Sequence, residues 1–375
     1  MNKSTIAVGA SVILLLSVAG VNFSEIIGGT RGQDDSYDDA AELKGNIITV
    51  DNEGDGDYLS IKEAVTNANP GDIIEVYSGD YYECNITITN PNLTLKGIPY
   101  ELGIGNDTGK PFIHGQGLNT VMIIKADDVI LTGFSMENSG TSYAHGIISI
   151  CSCNNCLVSD NGFSHSVMSC IGCINSSNTK IIGNNISHSI IRHGITLHDS
   201  NNNTVANNTI TDMGSEGICI WSSDYNTITG NKISRCKGYG IDLPGGDHNT
   251  VVQNSFEDNH VGVFLDGYHN LIAKNNFIDN EENAFILYLL PLKFPFCNIW
   301  LRNYWDDWTG IGPYVIRGRI LYVIPWIGID PFPAFRPYDI DGNKEINGTN
   351  ETGLNTNLHI QGKEACKLSM QSKIL

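Results

Sequence analysis

Between residues 150 and 285 the apolar positions come in short bursts of alternation, and the bursts return at a fixed distance. "NTITGNKIS" begins at Asn226 and "NTVVQNSFE" begins 23 positions later, at Asn249. Extending the second Asn of the phrase in both directions gives Asn161, Asn184, Asn208, Asn231, Asn254 and Asn275, in steps of 23, 24, 23, 23 and 21. Two residues after each stands a large apolar side chain: Phe163, Ile186, Ile210, Ile233, Phe256 and Phe277. A parallel column of glycines, Gly194, Gly217, Gly240 and Gly262, opens the short alternating runs "GITLH", "GICIW", "GIDLP" and "GVFLD".

A period of this size means a solenoid. The unit has no room for two helices, and its period-2 alternation with β-branched residues predicts strands. Too few leucines are present for a leucine-rich repeat, which leaves an all-β parallel β-helix of about ten coils, stacked about 4.8 Å apart. In that arrangement Ile195 and Leu197, Ile218 and Ile220, Ile241 and Leu243, and Val263 and Leu265 point inward. The Asn column has a physical cause as well. A side-chain amide both donates and accepts, so Asn residues on successive coils can bond up and down the stack.

The ends of the chain read differently. Lys3 precedes an apolar run from Ile6 to Val21, followed by an acidic stretch, so residues 1–23 read as a secretion signal or an uncleaved anchor and 24–45 as a linker. Residues 46–117 would form a starting unit and the first coils, 118–285 the regular repeats, and 286–340 a closing segment. The polar segment 341–375 is expected to be a disordered tail, with Asn-Xaa-Thr sequons at Asn347 and Asn350. The net charge of −19 argues against nucleic acid or an anionic membrane surface as a partner, leaving a membrane only through the N-terminal segment. A monomer is the expected state.

The segment "ITVDNEGDGDYLSIKEAVTNANPGDIIEVYSGDYYE", with a helix expected over Ser60–Asn67, resembles the start of pectin-lyase-like right-handed β-helices. The repeats that follow resemble the NosD-type branch, often labelled periplasmic copper-binding and known from archaeal and bacterial envelopes. The likeness covers roughly residues 46 to 316. It implies a right-handed parallel β-helix with a short N-terminal capping helix and an aromatic C-terminal cap. In "NYWDDWTGIGPYVI", Trp305, Trp308 and Tyr314 would supply that cap, or alternatively a platform for sugars. The superfamily hosts lyases, hydrolases, epimerases and proteins without known chemistry, so the likeness speaks for fold before function.

Chemistry is expected on the outward face of the glycine-led strands. One column there reads His198, Trp221, Pro244, Asp266; its neighbour reads Thr196, Cys219, Asp242, Phe264; and His193, Glu216 and Tyr239 precede the glycines. Asp242 and Asp266 lie one coil and two residues apart, about 8 Å on the strand grid, which suits paired carboxylates with a water between them. Asp242, Asp266 and His198 are therefore the catalytic candidates, and Trp221, Tyr239, Phe264, Glu216 and His193 the glycan contacts. The alternative is that acids on such a face serve solvation.

Metal ligands are a weaker expectation. His165 and His188 fall 23 apart and should neighbour each other, whereas His145 and His193 lie two coils apart. Copper or calcium would be the ion. Five cysteines crowd "CSCNNC" and "CIGC": Cys151, Cys153, Cys156, Cys170 and Cys173. They allow disulfides (Cys151 with Cys173, or Cys153 or Cys156 with Cys170), a buried core column, or a zinc-like site. The sequence thus points to an extracytoplasmic module that binds glycans or surface proteins. A polysaccharide hydrolase or lyase, and a copper-delivery protein, are the alternatives.

Overall fold

The computed structural model describes residues 45–137, 139–140, 146–288 and 298–340. The N-terminal apolar run, most of the acidic linker, His145 and the sequon-bearing tail lie outside the described residues.

Each coil contributes one strand to each of three sheets, of 11, 11 and 10 strands, and neighbouring strands in a sheet are parallel except for one C-terminal hairpin. Successive coils pair in strict register, as in Ile195↔Ile218↔Ile241↔Val263 in one of the two eleven-stranded sheets. That sheet, here the third sheet, carries the glycine-led strands. The inward residues Ile195, Leu197, Ile218, Ile220, Ile241, Leu243, Val263 and Leu265 are all fully buried. They belong to a continuous core running from Val50 to Ile316.

Polar groups in that core are paired along the axis. Asn208 Oδ1 accepts from the Asn184 main-chain N–H at 2.9 Å and from Asn184 Nδ2 at 3.0 Å. Its own Nδ2 donates to the Ile181 carbonyl at 2.9 Å and to Asn231 Oδ1 at 3.0 Å. Main-chain and Nδ2 donation to the next side chain repeats from Asn161 to Asn303. A second ladder, Asn203–Asn226–Asn249–Asn270–Asn298, is built from the first Asn of the repeated phrase. It is a line that period-tracking of one column alone does not reveal.

The helix, α1 (Ile61–Asn67), begins at Ser60, whose hydroxyl accepts from the Glu63 N–H, and buries Ile61, Ala64 and Val65. The Glu83 carboxylate accepts the N–H groups of Ile61 and Lys62, satisfying donors that a helix start leaves open. At the other end Trp305 is buried between Phe277 and Tyr314, with ring centroids 4.2 and 4.1 Å away. A ring covered on both faces offers no platform to a sugar, so that alternative fails for Trp305.

Candidate functional site

The site lies on the outward face of the third sheet, across the strands Ile195–His198, Ile218–Trp221, Tyr239–Leu243, Val261–Leu265 and Glu282–Tyr288. Register stacks Thr196, Cys219, Asp242, Phe264 and Phe285 in one column. Asp266 lies two residues beyond Phe264. His193, Glu216 and Tyr239 align through main-chain bonds from Gly194 to Glu216 and from Gly217 to Tyr239.

These columns bring carboxylates, an imidazole and aromatic rings together. His193 Nδ1 meets Glu216 Oε2 in an ion-pair contact, and both side chains are mostly buried. The two atoms touch without the alignment of a directed hydrogen bond. Burial would raise the Glu216 carboxyl, but the His193 contact and hydrogen bonds from Ser215 and its own backbone outweigh it, so Glu216 titrates below the usual range. Asp242 goes the other way. Burial first, then the charges of Glu216 and Asp266, push it up to about 8. Its Oδ1 is buried with no hydrogen-bond partner. Asp266 is also raised by burial, offset in part by the Gly245 N–H that its Oδ1 accepts. Around neutral pH the face therefore holds a protonated carboxylic acid within electrostatic reach of an ionised one.

An aromatic stack adjoins the acids. Phe264 is sandwiched between Tyr239 at 4.6 Å and Phe285 at 5.9 Å, with planes within 10° and 14° of parallel. Burial, and then Asp242 and Glu216, keep the Tyr239 phenol protonated. Cys219, next to Asp242 in the same column, is buried, and burial and then the charges of Asp242 and Glu216 hold its thiol well above its ordinary value, so it is no thiolate nucleophile.

His198 and Trp221 stand to the side of this cluster. His198 Nδ1 is 3.3 Å from Asp199, its ring meets Trp221 edge-on at 5.6 Å, and the Trp221 ring is exposed. The imidazole beside the acids is thus His193, not His198. Phe285 was not anticipated: its strand follows the last recognisable Gly-led phrase, and only the alternation of "NAFILY" hinted at it.

The metal expectation does not fit. The rings of His165 and His188 stack at 5.4 Å and 9° from parallel, so their nitrogen lone pairs lie in parallel planes instead of converging on one ion. Each faces a carboxylate, Glu137 and Asp212 respectively. Among the described residues no group of three His, Cys, Asp or Glu side chains is arranged to hold a metal, calcium included.

The cysteines are free thiols among the described residues. Cys151 pairs with Ile174, and Cys173 with Ile150, so Cys151 and Cys173 point to opposite faces of the sheet and the pairing expected between them is corrected. Cys153, Cys156, Cys170 and Cys173 are core residues. The nearest pair is Cys153 and Cys156, with sulfurs 3.9 Å apart. Burial pushes Cys170 up to about 12; burial and then the neighbouring Cys153 and Cys151 drive Cys173 higher still, while the Cys153 contact lowers Cys156.

Residues 83–287 match the profile described as periplasmic copper-binding protein (NosD). The chain belongs to the NosD family. No curated protein sequence matches this NosD chain. Among solved structures it is similar to the complex of XylC with xylose, at 12% identity, covering 76% of this chain and 73% of that one with a TM-score of 0.52. The periplasmic alginate epimerase AlgG matches at 13% identity over 66% of this chain and 77% of its own, TM-score 0.41. An alginate lyase from Paenibacillus sp. str. FPU-7 matches at 15% identity over 70% and 88%, TM-score 0.44. At 12% identity the likeness to XylC shows the fold alone. The NosD name promises copper, which neither the histidine pair nor the buried thiols are built to hold.

Proposed function

We propose that this NosD-family chain is an extracytoplasmic carbohydrate-active protein that binds a glycan on the outward face of the third sheet and cleaves it by acid–base chemistry. The carrying observation is the convergence of Glu216, Asp242 and Asp266 beside the Tyr239–Phe264–Phe285 stack, with the Asp242 Oδ1 buried and unpartnered. Phe264 is covered on both faces, so the half-buried edge of the stack is what offers apolar surface to a sugar. Asp242 donates its proton to the glycosidic oxygen as the bond from that oxygen to the anomeric carbon breaks. A water oxygen adds to the carbon and its proton passes to the Glu216 carboxylate. His193 is a positioning residue, fixing Glu216 and keeping it ionised. The periplasmic description of the matched profile supports the location outside the cytoplasm.

The exposed Trp221 favours a second reading, in which the same face binds glycans without cleaving them. A panel of polysaccharides, assayed for binding and for new reducing ends, separates the two. Turnover that falls about 10²–10⁴-fold in Asp242→Asn and in Glu216→Gln supports the enzyme. Binding with no product in the unaltered protein leaves the module; neither binding nor product removes both.

A further inference from the structure

The C-terminal hairpin carries a surface unlike the rest of the molecule. Its strands, Tyr314–Ile320 and Ile324–Asp330, pair antiparallel at the end of the third sheet. One face packs inward: Ile316 is in the core, and the Trp326 ring meets Tyr288 at 6.0 Å. The other face and the tip are bare. Ten of the twenty large hydrophobic side chains exposed among the described residues fall between Ile311 and Phe335, with Val323 at 77% and Tyr322 at 61%.

Three further observations say what covers this surface. Leu321 and Tyr322 occupy both central positions of the turn at φ 51° and 63°. Asn-Gly would adopt that conformation at lower cost, so two bulky apolar residues are held at the tip against backbone preference. Charge is the second. From Trp308 to Ile329 the sequence has no Asp or Glu, in a chain with 41 of them, and it places Arg317 and Arg319 there. Register sets these arginines on the bare face, opposite Ile327 and Pro325. Finally, Pro325 on the edge strand lacks an N–H, which disfavours strand-to-strand pairing with a second copy. Face-to-face contact of two copies would also bring Arg317 and Arg319 toward their counterparts.

We infer that the hairpin tip is a peripheral membrane-docking element: Leu321, Tyr322, Val323 and Ile324 enter the headgroup–acyl boundary of an anionic lipid surface while Arg317 and Arg319 pair with its phosphates. Apolar tip, interfacial aromatic and flanking cations are the combination that such a boundary rewards. A net charge of −19 repels an anionic surface elsewhere, so docking orients the solenoid with this end toward the lipid.

The test uses the full chain with vesicles of phosphatidylcholine alone or mixed with phosphatidylglycerol, read by sedimentation and by amide hydrogen exchange. On mixed vesicles the peptide spanning Ile320–Ile329 gains protection, and on phosphatidylcholine alone the gain is much smaller. Arg317→Gln/Arg319→Gln weakens apparent binding about thirtyfold. Val323→Ser/Ile324→Ser weakens it about tenfold or more. Vesicle binding with unchanged exchange in the hairpin overturns the proposal, because another segment then carries the contact. Protection that grows with protein concentration without vesicles overturns it in favour of a second copy. The exchange readout on the unaltered protein holds whether or not the variants fold.

Discussion

Asn208 uses every hydrogen-bonding site of its amide, two donors and two acceptances, inside a largely apolar core. Asn208→Ala takes the partner from the Asn184 N–H and the Ile181 carbonyl on the preceding coil and one donor from Asn231 Oδ1 on the next, and is expected to lower stability by about 3 kcal/mol, measured by denaturant unfolding. The ladder closes on Asp330, whose carboxylate accepts from the Asn303 N–H and Nδ2 and from Trp305 Nε1. Among the described residues no further coil follows to accept a hydrogen bond from that position, so an acceptor-only side chain fits where a repeat would place Asn. Asp242 has the opposite relation to stability. Its carboxyl titrates at about 8 in the folded chain against 3.8 for an unburied aspartate, so the folded state holds the proton more tightly. Between those values stability is lost as pH rises. Asp242→Asn is therefore expected to raise the melting temperature at pH 8.5 relative to the unaltered protein, to change it little at pH 4, and to lower turnover by the same roughly 10²–10⁴-fold. A melting curve that moves equally at both pH values would show that the carboxyl is not buried as described.

Coils turn at corners where one residue per coil takes a left-handed conformation: His165, His188, Asp212, Arg235, Asp258 and Asp279 form one such line, at φ 52–60°. The two histidines expected to bridge a metal are corner residues, which explains both their spacing and their exposure. Gly217 serves a different need. A Cβ there would lie 2.4 Å from Ile233 Cγ2 and 2.7 Å from the Gly240 carbonyl, so the close approach of packed strands requires its absence. Gly217→Ala is expected to cost about 1–3 kcal/mol and to displace Glu216 next to it, lowering turnover along with stability. The strands, their inward residues and the Asn column were legible because period 2 nested in period 23 leaves little choice of alignment. The cysteines show where that runs out. Cys151 and Cys173 are 22 apart while the local register is 23, as in Ile150↔Cys173, and one residue of slip reverses the face. His198 was favoured over His193 for a related reason: sequence gives the column of a side chain but not how deeply it is buried or which carboxylate it meets.

Among the described residues each coil contacts its neighbours in the stack, so a site can be laid across five strands with its spacing fixed by the register. Acid–base chemistry needs two carboxyls in different states, and the array supplies them by unequal burial and unequal partners: His193 for Glu216, none for the Asp242 Oδ1. The central claim is that pairing of a protonated Asp242 with an ionised Glu216. It is tested most directly by the pH profile of kcat/KM on whichever glycan the panel identifies. The account predicts a bell whose upper limb falls near pH 8 and disappears in Asp242→Asn together with most of the activity. Its lower limb lies below the usual carboxylate range and moves when His193→Gln removes the partner of Glu216. A profile that stays flat through pH 8, or an upper limb unchanged by Asp242→Asn, would contradict it.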